Sequence, residues 1–157
     1  MAKETKVYTL LQGLAKAQDW CAYQERCQQE VRDKLYSYGL HEAEVEEIIS
    51  RLIADNYVNE ERFAKAYVGG KFRIKKWGRQ KIKAGLRAKK ISEYCMKKGF
   101  EEIDENEYVK TLQKLIESKS KLLKEKNVIR KKYKLLMYAA SKGYEQSLIM
   151  EILNEEF

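Results

Sequence analysis

The sequence contains no proline among its 157 residues. Proline marks turns, sheet edges and linkers and interrupts the interior of a helix, so its absence favours long helices joined by short turns. Lys, Glu, Leu, Ala and Ile are abundant, and all of these except Ile are strong helix formers. No segment alternates apolar and polar residues with the period of two that a half-buried strand requires. The expected fold class is therefore all-α.

Long apolar runs are also missing. No stretch approaches the ~20 apolar residues that cross a bilayer, and the first residues, Met1 to Thr5, lack the apolar stretch of a signal peptide. We therefore expect a protein that makes no contact with a membrane and acts in the cytoplasm. We also expect it to be a monomer.

Cysteine and histidine are too sparse for a zinc site. The three cysteines stand at positions 21, 27 and 95, no Cys-x-x-Cys pair occurs, and His41 is the single histidine. A structural zinc ion takes four closely spaced Cys or His ligands. No metal and no cofactor are therefore expected, and the cysteines are interpreted as reduced thiols packed like small apolar groups. Because no phosphate-binding glycine loop and no pairing of a nucleophile with a base is present, no enzyme and no catalytic residue are expected.

Charge is divided unevenly along the chain. Residues 1–60 carry 7 basic and 11 acidic groups, residues 61–100 carry 14 basic and 2 acidic groups, and residues 101–157 carry 11 of each. Between Glu61 and Glu93 there are twelve lysines and arginines and no acid. A solvated helix surface usually mixes both signs. This block therefore indicates a polyanionic partner such as DNA, or an acidic groove on another protein.

An internal repeat is visible at three turns. Leu35-Tyr-Ser-Tyr-Gly39 recurs as Ala139-Ala-Ser-Lys-Gly143 at an offset of 104 residues, and each is followed by a helical stripe of apolar residues. A weaker middle copy, Leu86-Arg-Ala-Lys-Lys90, stands at an offset of 51. The two glycines fit the left-handed residue that ends a helix. Because Lys90 replaces glycine, the middle turn is expected to differ.

The repeat predicts an elongated tandem of three related three-helix units, because stacked helical pairs need their neighbours to bury both faces. The expected bounds of the units are 1–58, 59–105 and 106–157, and the middle unit is the basic one. The individual helices are predicted near residues 8–18, 23–38, 43–54, 61–75, 79–89, 93–100, 106–125, 128–141 and 146–155.

Residues 59–91 contain the most distinctive pattern. Phe63 and Tyr67 fall on one helical face and are interpreted as core residues. Trp77-Gly78 is interpreted as an anchored corner between two basic helical segments, with base stacking by the tryptophan as the alternative. Basic side chains on either side of this corner could neutralise phosphates. The candidate contacts for DNA or a partner are Arg62, Lys71, Arg73, Lys75, Lys76, Arg79, Lys83, Arg87 and Lys90.

The same segment resembles the core signature of the RecX family. The resemblance is carried by Leu52…Tyr57…Glu61-Arg62-Phe63-Ala64…Tyr67-Val68…Trp77-Gly78…Ile82…Leu86…Ile91, and it extends to Glu30–Gly39 upstream and to the repeat downstream. The structural positions of this signature are Phe63, Tyr67, Trp77, Gly78, Gly39 and Gly143. The chain departs from the family pattern in two places. One is Lys90, and the other is Gly69-Gly70, where the two glycines are expected to interrupt the basic helix.

The resemblance implies a protein of three-helix repeats that binds the filament of the RecA recombinase. Such a protein lies along the filament groove, inhibits strand exchange and ATP hydrolysis, and also contacts DNA, in the context of recombination, DNA repair and the SOS response. The charge pattern leaves a second interpretation open, an autonomous helical DNA-binding protein that needs no recombinase. Against it, the helix from Ser92 to Lys98 offers few of the Asn, Gln and Arg side chains that read bases.

Overall fold

The structure is a computed structural model that describes residues 8–156, and this part of the chain forms nine α-helices and no strand. The helices are α1 (Leu10–Tyr23), α2 (Gln28–Ser37), α3 (Glu42–Ala54), α4 (Glu60–Arg73), α5 (Arg79–Ala88), α6 (Glu93–Phe100), α7 (Glu105–Leu122), α8 (Val128–Ser141) and α9 (Gln146–Glu156). The all-α prediction is confirmed. From α3 onward, every helix begins and ends within three residues of its predicted bounds.

The predicted boundary between the first two helices is wrong. α1 continues to Tyr23, and α2 begins only at Gln28. Buried Cys21 extends the apolar face of α1 for another turn. The amide of Cys27 starts α2 by donating to the carboxylate of Glu30 at 3.1 Å. Both helix ends depend on these local contacts, which the apolar period alone does not reveal.

The helices form three units, α1–α3, α4–α6 and α7–α9, and the same turn joins the second and third helices of each. In every one of these turns an amide donates to the carbonyl five residues earlier. The pairs are Leu40 to Leu35 at 3.4 Å, Ile91 to Leu86 at 3.1 Å and Tyr144 to Ala139 at 3.3 Å. This is the Schellman arrangement that ends many helices. The predicted tandem of three related three-helix units is therefore confirmed.

The expectation that the middle turn differs is wrong. Lys90 has a φ of +58°, in the same left-handed region as Gly39 at +82° and Gly143 at +100°. A left-handed conformation costs a residue with a Cβ about 1–2 kcal/mol. Leu86 and Ile91 are buried on either side of the turn, and this packing holds the lysine in a conformation that glycine adopts freely.

α4 runs without a break through Gly69 and Gly70, so the expected interruption of this helix is also wrong. The amide of Ile74 still donates to the carbonyl of Gly70 at 2.9 Å. α4 packs closely against α6, since a Cβ at Gly99 would lie 2.9 Å from the carbonyl oxygen of Ala64. Tertiary packing thus outweighs the cost of about 1 kcal/mol that each glycine imposes on a helix interior.

Two hydrophobic cores lie within the tandem. The first belongs to the first unit and includes Leu35, Ile48 and Leu52, which are fully buried. The second contains buried residues of α4 to α9, so the middle and C-terminal units share one core. Cys27, which precedes α2, is buried in this second core. The start of α2 is therefore a point at which the first unit meets the middle one.

Candidate nucleic-acid interface

The basic block of residues 62–90 forms most of α4, the corner at residues 74–78, and all of α5. The side-chain oxygen of Asn59 caps the start of α4, where it accepts a hydrogen bond from the amide of Arg62 at 2.9 Å. Ile82 and Leu86 on α5 are buried, and this directs the intervening basic residues of the helix outward. The nine predicted contact residues are not equivalent, however, because some of them have partners within the chain.

Five of the nine form an outward-facing set that we call the middle surface. Its members are Lys75, Lys76, Lys83, Arg87 and Lys90. Within the described residues, the four lysines have no acidic partner. The guanidinium of Arg87 lies 3.8 Å from Glu93, and both side chains are more than half exposed, so this pair contributes little to stability. These five positive charges are available to phosphates or to acidic side chains of a partner.

Arg62 lies in the joint between the first and middle units. Its Nε donates to the carboxylate of Glu25. Its Nη2 donates to the carbonyls of Asn56 at 3.0 Å and Tyr57 at 3.3 Å. These bonds connect α4 to the loop after α3 and to the segment before α2. They occupy much of the hydrogen-bonding capacity of the guanidinium, so Arg62 has fewer donors left for a partner.

Arg73 and Lys71 lie at the end of α4 and have partial partners. Nη2 of Arg73 donates to the carbonyl of Glu102 at 3.3 Å, and the side chain remains 55% exposed. The ammonium of Lys71 lies 5.4 Å from the ring centroid of Tyr67 and 4.8 Å from that of Trp77. Cation–π attraction orients Lys71 without neutralising its charge.

Trp77 anchors the corner between α4 and α5. Its half-buried ring packs against the second core, and its amide donates to the carbonyl of Lys71 at 3.1 Å. The ammonium of Lys81 lies 4.5 Å from the centroid of the same ring. Two lysines therefore flank one tryptophan, which makes the corner both basic and aromatic. Lys81 was not among the predicted contacts, although it follows the corner by only four residues.

Arg79 lies in the joint between the middle and C-terminal units. Its Nη1 donates to Glu145 at 3.0 Å, its Nη2 donates to Glu105, and its Cζ lies 3.9 Å from the ring centroid of Tyr108. The Tyr108 hydroxyl accepts a hydrogen bond from the amide of Arg79 at 3.0 Å and donates one to the carboxylate of Glu145 at 2.5 Å. Burial acts to lower the pKa of Arg79, but its bonds to the two carboxylates raise that pKa by more. Arg79 therefore acts as a clamp between two units.

Sequence reasoning missed the acids that hold this clamp. Glu105 lies 26 residues from Arg79 along the chain and Glu145 lies 66 residues away. No local pattern links positions so far apart. The available signal is that each acid stands at the start of a helix of the C-terminal unit, α7 or α9, where a carboxylate is a common residue.

Within residues 8–156, no group of three or more His, Cys, Asp or Glu side chains comes together in a way that could hold a metal ion. None of the described helices is both long enough and apolar enough to cross a bilayer.

Two family models match the chain. The model described as RecX, first three-helix domain, matches residues 14–52, and the one described as RecX, second three-helix domain, matches residues 59–98. The second match contains the whole middle surface.

Curated relatives named regulatory protein RecX are similar over most of the chain. The relative from Bacillus mycoides is 27% identical over 140 residues, which is 89% of this chain and 52% of the relative. A relative from Clostridium perfringens is 33% identical over 138 residues, which is 84% of this chain and 64% of the relative. The chain thus spans between about half and two thirds of the length of these relatives.

Solved structures have the same fold. The crystal structure of RecX from Lactobacillus salivarius matches with a TM-score of 0.83 and 26% identity, over 93% of this chain and 95% of that one. A second crystal structure, of a regulatory protein RecX, matches with a TM-score of 0.81 and 22% identity, over 93% of this chain and 75% of that one.

Proposed function

The chain belongs to the RecX family, and on that premise we propose that it is a regulatory protein that binds the filament of the RecA recombinase and inhibits its ATPase and strand-exchange activities. It acts without catalysis of its own, as a monomer in the cytoplasm, and modulates recombination, DNA repair and the SOS response. Its partners are the filament and the DNA within it, bound without regard to sequence.

The observation that carries this proposal is the middle surface. Five outward-facing basic residues lie on α5 and on the corner and turn that flank it, and all five fall within the family match at residues 59–98. A tandem of helical units with a basic centre can follow a groove lined by phosphates and protein acids, because opposite charges attract along its length.

ATP hydrolysis by RecA on single-stranded DNA tests the proposal. The protein is added to preformed filaments at amounts well below those that would cover the DNA. We expect hydrolysis to fall at these amounts. A middle variant with Lys75, Lys83, Arg87 and Lys90 replaced by Gln should inhibit several-fold less, because four charges that meet the filament are lost together.

A matched control removes four basic charges that lie outside the middle surface. The scattered variant K16Q/R51Q/K65Q/K97Q has the same net charge as the middle variant, and its four substitutions fall on four different helices. It should inhibit like the unaltered protein. Equal loss of inhibition in the two variants would indicate that net charge alone matters and would contradict an interface at the middle surface.

An autonomous DNA-binding protein is the second candidate, because the free charges of the middle surface could bind phosphates without any recombinase. The two functions differ in the amount of protein that inhibition requires. A competitor for DNA has to cover the free strand, whereas a filament regulator does not. Inhibition that appears only at saturating coverage would favour the autonomous protein.

A further inference from the structure

The hairpin of α7 and α8 is longer than its counterparts in the other two units. α7 has 18 residues, whereas α1 and α4 have 14 each, and α8 has 14 residues, whereas α2 and α5 have 10 each. When the three Schellman turns are aligned, buried Leu135 of α8 matches buried Val31 and Ile82. The four additional residues of α8 therefore lie at its N-terminal end. The end of the hairpin projects by about one helical turn, roughly 5 Å.

This projecting end, residues 119–134, which we call the hairpin tip, is strongly basic. It contains Lys119, Lys121, Lys124, Lys126, Arg130, Lys131, Lys132 and Lys134. Its one acid, Glu125, is paired with Lys134 at 3.1 Å. Eight basic groups against one acid leave seven net positive charges in 16 residues. Counting charge over the whole of residues 101–157 conceals this cluster, because eleven basic and eleven acidic groups then cancel.

The hairpin tip also exposes large apolar side chains. Leu122 is 76% exposed, Val128 59%, Ile129 80% and Tyr133 62%. In the alignment of the three turns, Tyr133 stands where α2 and α5 have glutamines. Exposed apolar residues on the same segment as a dense cluster of positive charge are typical of a contact surface rather than of a merely solvated one.

The charges of the tip oppose the stability of its own helix. Arg130 and Lys134 are one turn apart on α8, where like charges repel. Arg130 and Lys131 also lie in the first turn of α8, where the helix dipole disfavours positive charge, and no acid is present in that turn. Within the described residues, Lys121, Lys124, Lys126 and Arg130 have no acidic side chain as a partner. An external polyanion would relieve this repulsion.

We propose that the hairpin tip is a second nucleic-acid contact, in which its basic side chains neutralise phosphates and its exposed apolar side chains lie against sugars and bases. Duplex DNA carries one negative charge for about every 1.7 Å of its axis, so it offers several phosphates to the clustered positive charges of the tip. Apolar side chains beside such charges can insert between base steps. The site shares no residue with the middle surface, and its binding of nucleic acid does not depend on a recombinase.

Salt dependence of DNA binding tests this site. The tip variant K121Q/K124Q/K126Q/R130Q is compared with the unaltered protein on single-stranded and duplex DNA. If four phosphate contacts are lost, the slope of log K against log salt should decrease in magnitude by about 3. We expect affinity at low salt to fall about tenfold or more. The scattered variant K16Q/R51Q/K65Q/K97Q loses the same number of charges and should keep both slope and affinity.

The apolar part of the contact is tested by Ile129→Ser. This change removes no charge, so affinity should fall while the salt slope stays constant. Because Ile129 is exposed, the far-ultraviolet spectrum and the unfolding transition should not change. Unaltered affinity in this variant would contradict the apolar contact.

Two other polyanions distinguish nucleic acid from alternative partners of the tip. Binding of polyglutamate and of vesicles that contain an anionic lipid is measured with the same variants. If the tip substitutions weaken binding to polyglutamate or to the vesicles as much as they weaken binding to DNA, the nucleic-acid assignment is overturned in favour of an acidic protein or a membrane surface. An unchanged salt slope in the tip variant overturns it as well. Neither result alters the expected loss of inhibition in the middle variant.

Discussion

The backbone of Gly78 lies directly against the backbone of Gly143. The amide of Gly78 donates to the carbonyl of Lys142 at 2.8 Å, and the amide of Gln80 donates to the carbonyl of Gly143 at 2.8 Å. A Cβ at Gly78 would lie 2.4 Å from the carbonyl carbon and oxygen of Gly143. The first amides of α5 have no partner within their own helix, and one of them, the amide of Gln80, finds its partner in the turn between α8 and α9. The turn that repeats in every unit thus also joins the middle and C-terminal units.

Alanine at Gly78 should therefore destabilise the protein. The new methyl group would meet rigid backbone rather than a movable side chain, and overpacking of this kind typically costs about 1–3 kcal/mol. The free energy of unfolding, measured in urea, checks this expectation. Gly70→Ala is the matched control, because a Cβ there meets nothing within 4 Å. It should stabilise helix α4 by up to about 1 kcal/mol, and destabilisation equal to that of Gly78→Ala would contradict the argument.

Reversal of charge at Arg79 should act through the fold rather than through DNA alone. In Arg79→Glu, three carboxylates would come together beside Tyr108, at a side chain that is only 29% exposed. We expect a loss of about 2–3 kcal/mol in the free energy of unfolding, because partners of a half-buried ion pair are left unpaired.

The matched variant K83E/R87E reverses two charges on the same helix that have no buried partner. Its free energy of unfolding should stay within about 0.5 kcal/mol of that of the unaltered protein. Its affinity for DNA should fall uniformly across sequences, since phosphates carry no sequence information. An unaltered free energy of unfolding in Arg79→Glu would contradict the conclusion that Arg79 holds the middle and C-terminal units together.

The fold could be predicted from local information. The apolar stripes and the glycine turns are local features of the sequence, and the left-handed residues that end helices at Gly39 and Gly143 follow from them. The errors at Lys90 and at Gly69-Gly70 have one cause. In both places packing outweighs intrinsic propensity, and buried neighbours such as Leu86 determine the backbone.

The candidate site could be predicted only in part. A run of twelve basic residues without an acid identifies a basic segment, but it does not show which of its charges are paired within the chain. The partners of Arg62 and Arg79 include residues 37 and 66 positions away. Such pairs arise from the stacking of units, and a single sequence contains no local pattern for them. The basic charge of the hairpin tip is hidden for a different reason, because it cancels when charge is counted over the whole of residues 101–157.

The buried thiols should make stability depend on alkaline pH. Burial raises the pKa of Cys21 to about 11 and that of Cys27 to about 12, from the ordinary value of 9.0. The unfolded chain therefore loses these protons first as pH rises, so the free energy of unfolding should fall from about pH 9 upward. Replacing both cysteines by Ala should flatten this dependence. The check is the free energy of unfolding in urea, measured against pH for the unaltered protein and for the double variant. Equal pH profiles would contradict the burial of the thiols.

A thiol reagent at pH 8 gives an independent check of the same burial. Cys95 is partly exposed, whereas Cys21 and Cys27 are buried. In the folded protein we expect one cysteine, Cys95, to react rapidly, and the other two to react only as the chain unfolds.

The division into two cores predicts how the protein opens. Ile149 on α9 belongs to the core that α4 to α9 share, whereas Ile48 on α3 belongs to the core of the first unit. Both side chains are fully buried, so replacing either by Ala should cost about 2–5 kcal/mol. A shared core opens as one cooperative unit. The loss of protection against hydrogen exchange caused by Ile149→Ala should therefore extend beyond α9 to the amides of α5.

Native-state hydrogen exchange measures this difference. In Ile149→Ala, the amides of α5 and α9 should lose protection together, while those of α2 and α3 keep theirs. Ile48→Ala should show the reverse. Ile149→Val, which costs only about 0.5–1.5 kcal/mol, keeps the comparison possible if the alanine variant is too unstable. Loss of protection confined to α9 would mean that the C-terminal unit opens alone, and the clamp formed by Arg79, Tyr108 and Glu145 would then not couple it to the middle surface.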